Sequence, residues 1–186
     1  FETLNNFNKS CSVDVFFALS HGVHRGILKT GKIDDRINFL NKLQNKTPDI
    51  KFDIYGINKI QPIWADHYFK TISNAKMGLN LSRGEAIKYY SSDRITQIVG
   101  NGLVCLIDEK TKYRDFFDDK EMVFYKNEND LSEKIIRISR DEKLRKSIAR
   151  KGKVKYMKYF NSTVVADFII KKTIGLQSKK KYFWHN

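Results

Sequence analysis

Apolar residues along this 186-residue chain form short, near-continuous runs separated by stretches in which they recur every three or four positions. Runs of the first kind stand at 13–19, 52–56, 77–82, 103–107 and 122–125. Four of the five are apolar at nearly every position, as expected of strands buried on both faces of a parallel sheet. The intervening stretches have helical period. Ile33, Ile37, Leu40 and Leu43 share one face of a helix over 33–44 that Pro48 ends, and Trp64, Tyr68 and Ile72 share one over 64–74. A short helix starts at Asp93, and another lies around 113–117. The last third is helical: 131–139 capped by Asp130, then 143–159 with Leu144, Ile148 and Met157 inward. Asn161 or Ser162 caps a final helix carrying Val164, Val165, Phe168 and Ile169.

Strands alternating with helices predict an α/β fold: a Rossmann-like doubly wound parallel sheet of about five strands with a helical C-terminus. Right-handed crossovers suggest a strand order of about 3-2-1-4-5. Residues 1–12 read as a linker or the remnant of an upstream domain, 13–175 as the Rossmann-like domain and 176–186 as a basic aromatic tail.

The length suits one domain with a real core. No apolar run approaches the roughly 20 residues that span a bilayer. The N-terminus has neither an initiator Met nor a signal-peptide pattern, so a piece of a longer reading frame is expected. Cys11 and Cys105 make no metal spacing or disulfide framework, which suits a reducing, cytoplasmic setting, and His21 with His24 reads as loop rather than metal site. Neither a metal nor another cofactor is expected. Charge changes the picture more. Ten of the fourteen net positive charges fall after residue 140. A solvated helix face with a frayed end is the plain reading. An anionic membrane surface, met by the basic helix and by Tyr182, Phe183 and Trp184, is the sharper one. Nucleic acid is not expected as a partner, because no binding signature accompanies the charge.

Candidate chemistry gathers in loops that follow strands, where ligands of doubly wound sheets bind. After the first strand come Gly22, His24 and Arg25, glycines that admit a phosphate and a cation to hold it. Gln61 and its apolar neighbours after the second strand suit a base. Arg83, Glu85, Lys88 and Tyr89 follow the third strand and suit a sugar diphosphate. Ser91 or Ser92 caps the helix that begins at Asp93, leaving backbone N–H groups beside Arg94, and Gln97 lies one turn on. Arg94 opposes the helix dipole in the first turn, a placement that a bound anion would explain. No G-x-G-x-x-G occurs, which argues against a nicotinamide enzyme.

The segment Ser92-Asp93-Arg94-Ile95-Thr96-Gln97-Ile98-Val99-Gly100-Asn101-Gly102 resembles the Ser-x-Arg-x-x-Glu-x-x-Ala-x-Gly segment of GT-B glycosyltransferases. The nearest branch is the glycosyl transferases group 1 domain with its CgeB-like members, and the likeness runs from about Val13 to near Lys172. The resemblance implies one half of a GT-B fold: the donor-binding domain of a metal-independent enzyme that moves a sugar from a nucleotide-sugar to a glycan or lipid-linked acceptor. It implies an upstream acceptor-binding domain as partner. The cysteine usage and the basic aromatic C-terminus suggest work in the cytoplasm, peripherally at the inner membrane face. The resemblance assigns no catalytic base to this chain. The family's ribose-gripping acid is Gln97 here, which can hydrogen-bond but carries no charge. That departure keeps open an alternative: a non-catalytic Rossmann-like module that binds a nucleotide or another anion.

Overall fold

The computed structural model describes residues 3–19, 33–90, 92–176 and 181–185. Five parallel strands form one sheet: β1 Val13–Ala18, β2 Phe52–Tyr55, β3 Ala75–Asn80, β4 Val104–Asp108 and β5 Val123–Tyr125. Six α-helices accompany them: α1 Asp35–Lys46, α2 Ala65–Ile72, α3 Asp93–Gly100, α4 Glu128–Arg140, α5 Glu142–Tyr159 and α6 Ser162–Thr173. The period-two pleat sorts each strand's side chains onto two faces. Val15, Phe17, Met77, Leu79, Val104 and Leu106 pack with Leu40 of α1 and Leu131 and Ile135 of α4. Phe16, Cys105, Ile107 and Phe124 pack on the other face with Ile72 of α2, Ile95 and Ile98 of α3, and Tyr156 of α5.

The strand order is β2-β1-β3-β4-β5, not the 3-2-1-4-5 that the sequence suggested. Burial explains the difference. Three of the four residues of β2 are half-buried, so it sits at an edge, whereas five of the six residues of β3 are buried. The chain therefore crosses back over β1 after β2, placing β3 inside the sheet. Because α1 covers one face and α2 and α3 the other, the fold switches direction between β1 and β3. Ligand crevices of doubly wound folds lie at such a point.

The flanking segments have intramolecular partners. The segment before Val13, expected as a linker or the remnant of an upstream domain, is packed. Buried Asn6 donates through Nδ2 to the carbonyls of Ile72 (2.8 Å) and Ala75 (2.9 Å). Fully buried Arg145 of α5 donates to the carbonyls of Asn6 and Lys9, both at 3.1 Å. The aromatic end of the tail also has intramolecular partners. Tyr182 donates from its hydroxyl to Asp167 (2.8 Å), Phe183 stacks on Tyr159 (4.5 Å between centroids) and Trp184 on Phe160 (5.3 Å). Those rings are engaged with the domain itself. Among the described residues, no helix is long and apolar enough to cross a membrane.

Candidate functional site

A cleft of about 810 Å3 opens where β1 and β3 end, between the start of α2, the loop after β3 and the start of α3. Gly78 sets its geometry. A Cβ there would lie 2.4 Å from the Ile98 side chain, so only glycine lets α3 lie this close to β3. The close approach aims the first turn of α3 into the cleft.

Helix capping divides the molecule. Asp34, Asn127, Asp141 and Asn161 each cap a helix N-terminus through a side-chain oxygen. The N-cap residues of α2 and α3, Trp64 and Ser92, provide no such bond. Ser92 sits where a cap was expected, but its hydroxyl donates instead to Asn80 Oδ1 (2.8 Å). Both helices lacking a side-chain cap begin at the cleft. The Ile95 N–H donates to the Ser92 carbonyl (3.0 Å), and the N–H groups of Asp93 and Arg94 have no side-chain cap.

Arg94 reaches into the same space. Its guanidinium donates to the Leu81 carbonyl (3.2 Å) and to Asn80 Oδ1 (3.4 Å), and lies 5.3 Å from the centre of the Phe17 ring. Among the described residues, no carboxylate pairs with it within 4.0 Å. Burial pushes its pKa down, and the positive charge of Arg36 adds to the shift. Desolvation of a cation with only neutral, weakly held partners favours an incoming anion. One turn on, Gln97 lines the cleft, and its Oε1 is buried and has no hydrogen-bond partner among the described residues. An unmet acceptor at that position suits a hydroxyl donor.

Arg83, Glu85, Ser92, Arg94 and Gln97 are thus brought to the cleft. Three other candidates are not among its lining. Gln61 is exposed outside it, and Ile63 and Trp64 take that wall. The Lys88 ammonium lies over the Tyr89 ring at 4.7 Å. Tyr89 turns its hydroxyl to Asp115 and its ring to Phe116. Gly22, His24, Arg25 and Ser91 lie outside the described residues.

The sequence reading missed Arg36, Trp64, Tyr68 and Tyr90, all of which line the cleft. Arg36 stands in the first turn of α1 and makes a bidentate pair with buried Asp34 (Nε–Oδ1 2.9 Å, Nη2–Oδ2 2.6 Å). The signal that singled out Arg94, a cation in a first helical turn, was present there too. Tyr68 packs its edge on Phe16 (5.4 Å), and burial, with Asp93 nearby, raises its pKa to about 12. Its hydroxyl therefore stays protonated at neutral pH. Trp64 and Tyr90 leave much of their rings exposed at the mouth. No group of three or more His, Cys, Asp or Glu that could hold a metal ion occurs among the described residues. The arrangement offers cationic and N–H donors for an oxyanion and an acceptor for a hydroxyl.

Several solved structures share the architecture. TarM of S. aureus, crystallised with fondaparinux, alpha-GlcNAc-glycerol and UDP, is 13% identical with a TM-score of 0.59, over 87% of this chain and 36% of TarM. HepE of Anabaena, in complex with UDP and glucose, is 10% identical with a TM-score of 0.61, over 88% of this chain and 49% of HepE. The C-terminal domain of the glycosyl transferase group 1 protein LpcC of Francisella tularensis is 10% identical with a TM-score of 0.53, over 83% and 89%. The chain therefore spans about a third of TarM and half of HepE, but most of an isolated C-terminal domain. At these identities the likeness establishes the fold alone, a Rossmann-like α/β domain. No curated protein matches the chain. The model of the glycosyl transferase-like family matches residues 36–171, from the first turn of α1 through α6, and the chain belongs to that family.

Proposed function

We propose that this domain binds the diphosphate and ribose of a nucleotide-sugar, as the donor half of a glycosyltransferase that uses no metal to stabilise the leaving group. One observation carries the reading: half-buried Arg94, without a carboxylate partner among the described residues, lies beside the α3 N-terminus, which has no side-chain cap. As the glycosidic bond breaks, the departing nucleoside diphosphate gathers negative charge. Arg94 and the first-turn N–H groups stabilise it there, and Arg83 adds charge at the rim. Gln97 Oε1 accepts from a ribose hydroxyl, and Glu85 faces the sugar. An acceptor-binding domain supplies the acceptor, a glycan or lipid-linked sugar, and the catalytic base.

Titration calorimetry with UDP and GDP in the presence of a chelator tests this. Binding should persist without magnesium or manganese, and Arg94→Met should weaken it about 10- to 150-fold, the range for a charge-assisted hydrogen bond. Equal affinity in both proteins would assign Arg94 to structure alone.

Gln97 favours a second reading, a non-catalytic nucleotide-binding module, because the amide lacks the charge of the family's acid. A turnover assay on the full-length protein with a nucleotide-sugar separates the two. The donor class suits a cytoplasmic site of action. Exposed Lys143, Lys151 and Lys158 on α5 suit a nearby anionic membrane. Failure to co-sediment with anionic vesicles at low salt would remove the membrane from this reading.

A further inference from the structure

We infer that the C-terminal aromatic segment is a positioning element of the cleft: Phe183 acts through Phe116 on Tyr89, and so holds the loop that carries Arg83 and Glu85. Tyr89 has φ +59°, a left-handed conformation that a bulky side chain adopts only when its surroundings impose it. Those surroundings are specific. The Tyr89 N–H donates to the Thr111 carbonyl (2.9 Å), its hydroxyl donates to Asp115, and its ring lies 5.0 Å from that of Phe116. All three partners belong to the turns between β4 and β5, so the loop after β3 is pinned to a neighbouring connection. By contrast, Gly84 at the tip of the same loop would have nothing within 4 Å of an added Cβ. The tip is thus open, whereas the Tyr89 end is anchored from outside the loop.

Phe116 needs backing to serve as an anchor, and the C-terminus supplies it. The Phe183 ring lies 6.2 Å from Phe116, 5.9 Å from Phe160 and 4.5 Å from Tyr159, on which it stacks. Phe160 lies 5.9 Å from Phe116 on its own account. A chain of packed rings therefore runs from the end of the protein to the cleft loop. Tyr89 and Phe183 touch no ligand in this scheme; they fix where Arg83 and Glu85 stand.

The inference rests on the donor-site reading for its effect on affinity, but hydrogen exchange tests the coupling without a ligand. In full-length Phe183→Ala, amides of residues 83–90 should exchange faster while those of β3 and β4 keep their protection. Phe183→Leu, which retains a packing side chain, should restore most of the protection. UDP affinity should fall about 2- to 10-fold in Phe183→Ala, the range for one lost aromatic pair, with the Arg94 dependence retained. Tyr89→Gly, which relieves the backbone strain while deleting the ring, should reproduce the loop's faster exchange. Unchanged exchange over 83–90 in both Phe183→Ala and Tyr89→Gly would overturn the inference. Faster loop exchange in a protein that binds no nucleotide would uphold the coupling and reject the donor-site reading instead.

Discussion

The wall formed by α4 and α5 and the rim formed by β3 and α3 treat charge in opposite ways. On the wall, fully buried Arg145 makes a bidentate pair with Glu142 (2.7 and 2.6 Å) and bonds two carbonyls of the N-terminal segment. Asn127 and Asp141 cap the helices. On the rim, among the described residues, Arg94 bonds two neutral oxygens and no carboxylate, α3 has no side-chain cap and Gln97 Oε1 has no partner. The same residue type serves stability in one place and is held available in the other. Polar groups left unsatisfied beside a cleft are the ones a ligand would complete.

Removing each arginine should break the comparison in opposite senses. Arg145→Ala is expected to cost about 3 kcal/mol or more of folding free energy, since several charge-assisted bonds vanish and buried carbonyls lose their donor. Urea unfolding would measure it, and nucleotide affinity in the folded fraction should barely move. Arg94→Met should do the reverse, abolishing most nucleotide binding while holding or raising the melting temperature, because a desolvated cation without a carboxylate is replaced by an apolar chain. Gln97→Ala should weaken UDP binding by less, about 2- to 13-fold, as for one neutral hydrogen bond.

A further effect is expected in alkali. Burial raises the Tyr68 pKa from 10.0 to about 12, so the folded state resists ionisation that the unfolded state allows. The stability this contributes is complete below pH 10 and is lost as the pH rises towards 12. The melting temperature of wild type should fall relative to that of Tyr68→Phe over that interval. Curves that stay parallel would show that Tyr68 is more exposed to water than its packing implies.

The paired wall was easier to read in the sequence than the open rim. All five strands and all six helices were anticipated within a few residues, because apolar runs and helical period report burial directly. β3 begins at Ala75 rather than at 77. Lys76 interrupts the apolar pattern there, and only the fold supplies Asp14 as its partner, 2.8 Å away. The cap of α4 is Asn127 rather than Asp130, whose carboxylate instead pairs with Lys134 and accepts from the Lys126 N–H. Strand order was misread because hydrophobicity marks a strand as buried without naming its neighbour. At the site, Arg94 was legible as a cation set against a helix dipole. Tyr89 was legible as a candidate contact but not as an anchor of the loop, because its partner Phe116 and the Phe183 behind it lie far along the chain. Arg36 carries no spacing signal of its own, and only the fold brings its first helical turn to the cleft.

A crystal structure of the protein with UDP tests the central claim most directly. The diphosphate should lie over the first turn of α3, with the Arg94 guanidinium turned from the Leu81 carbonyl onto a phosphate oxygen and a ribose hydroxyl against Gln97. UDP bound elsewhere, or bound in the cleft with Arg94 still on Leu81 and Gln97 Oε1 still without a partner, would contradict it.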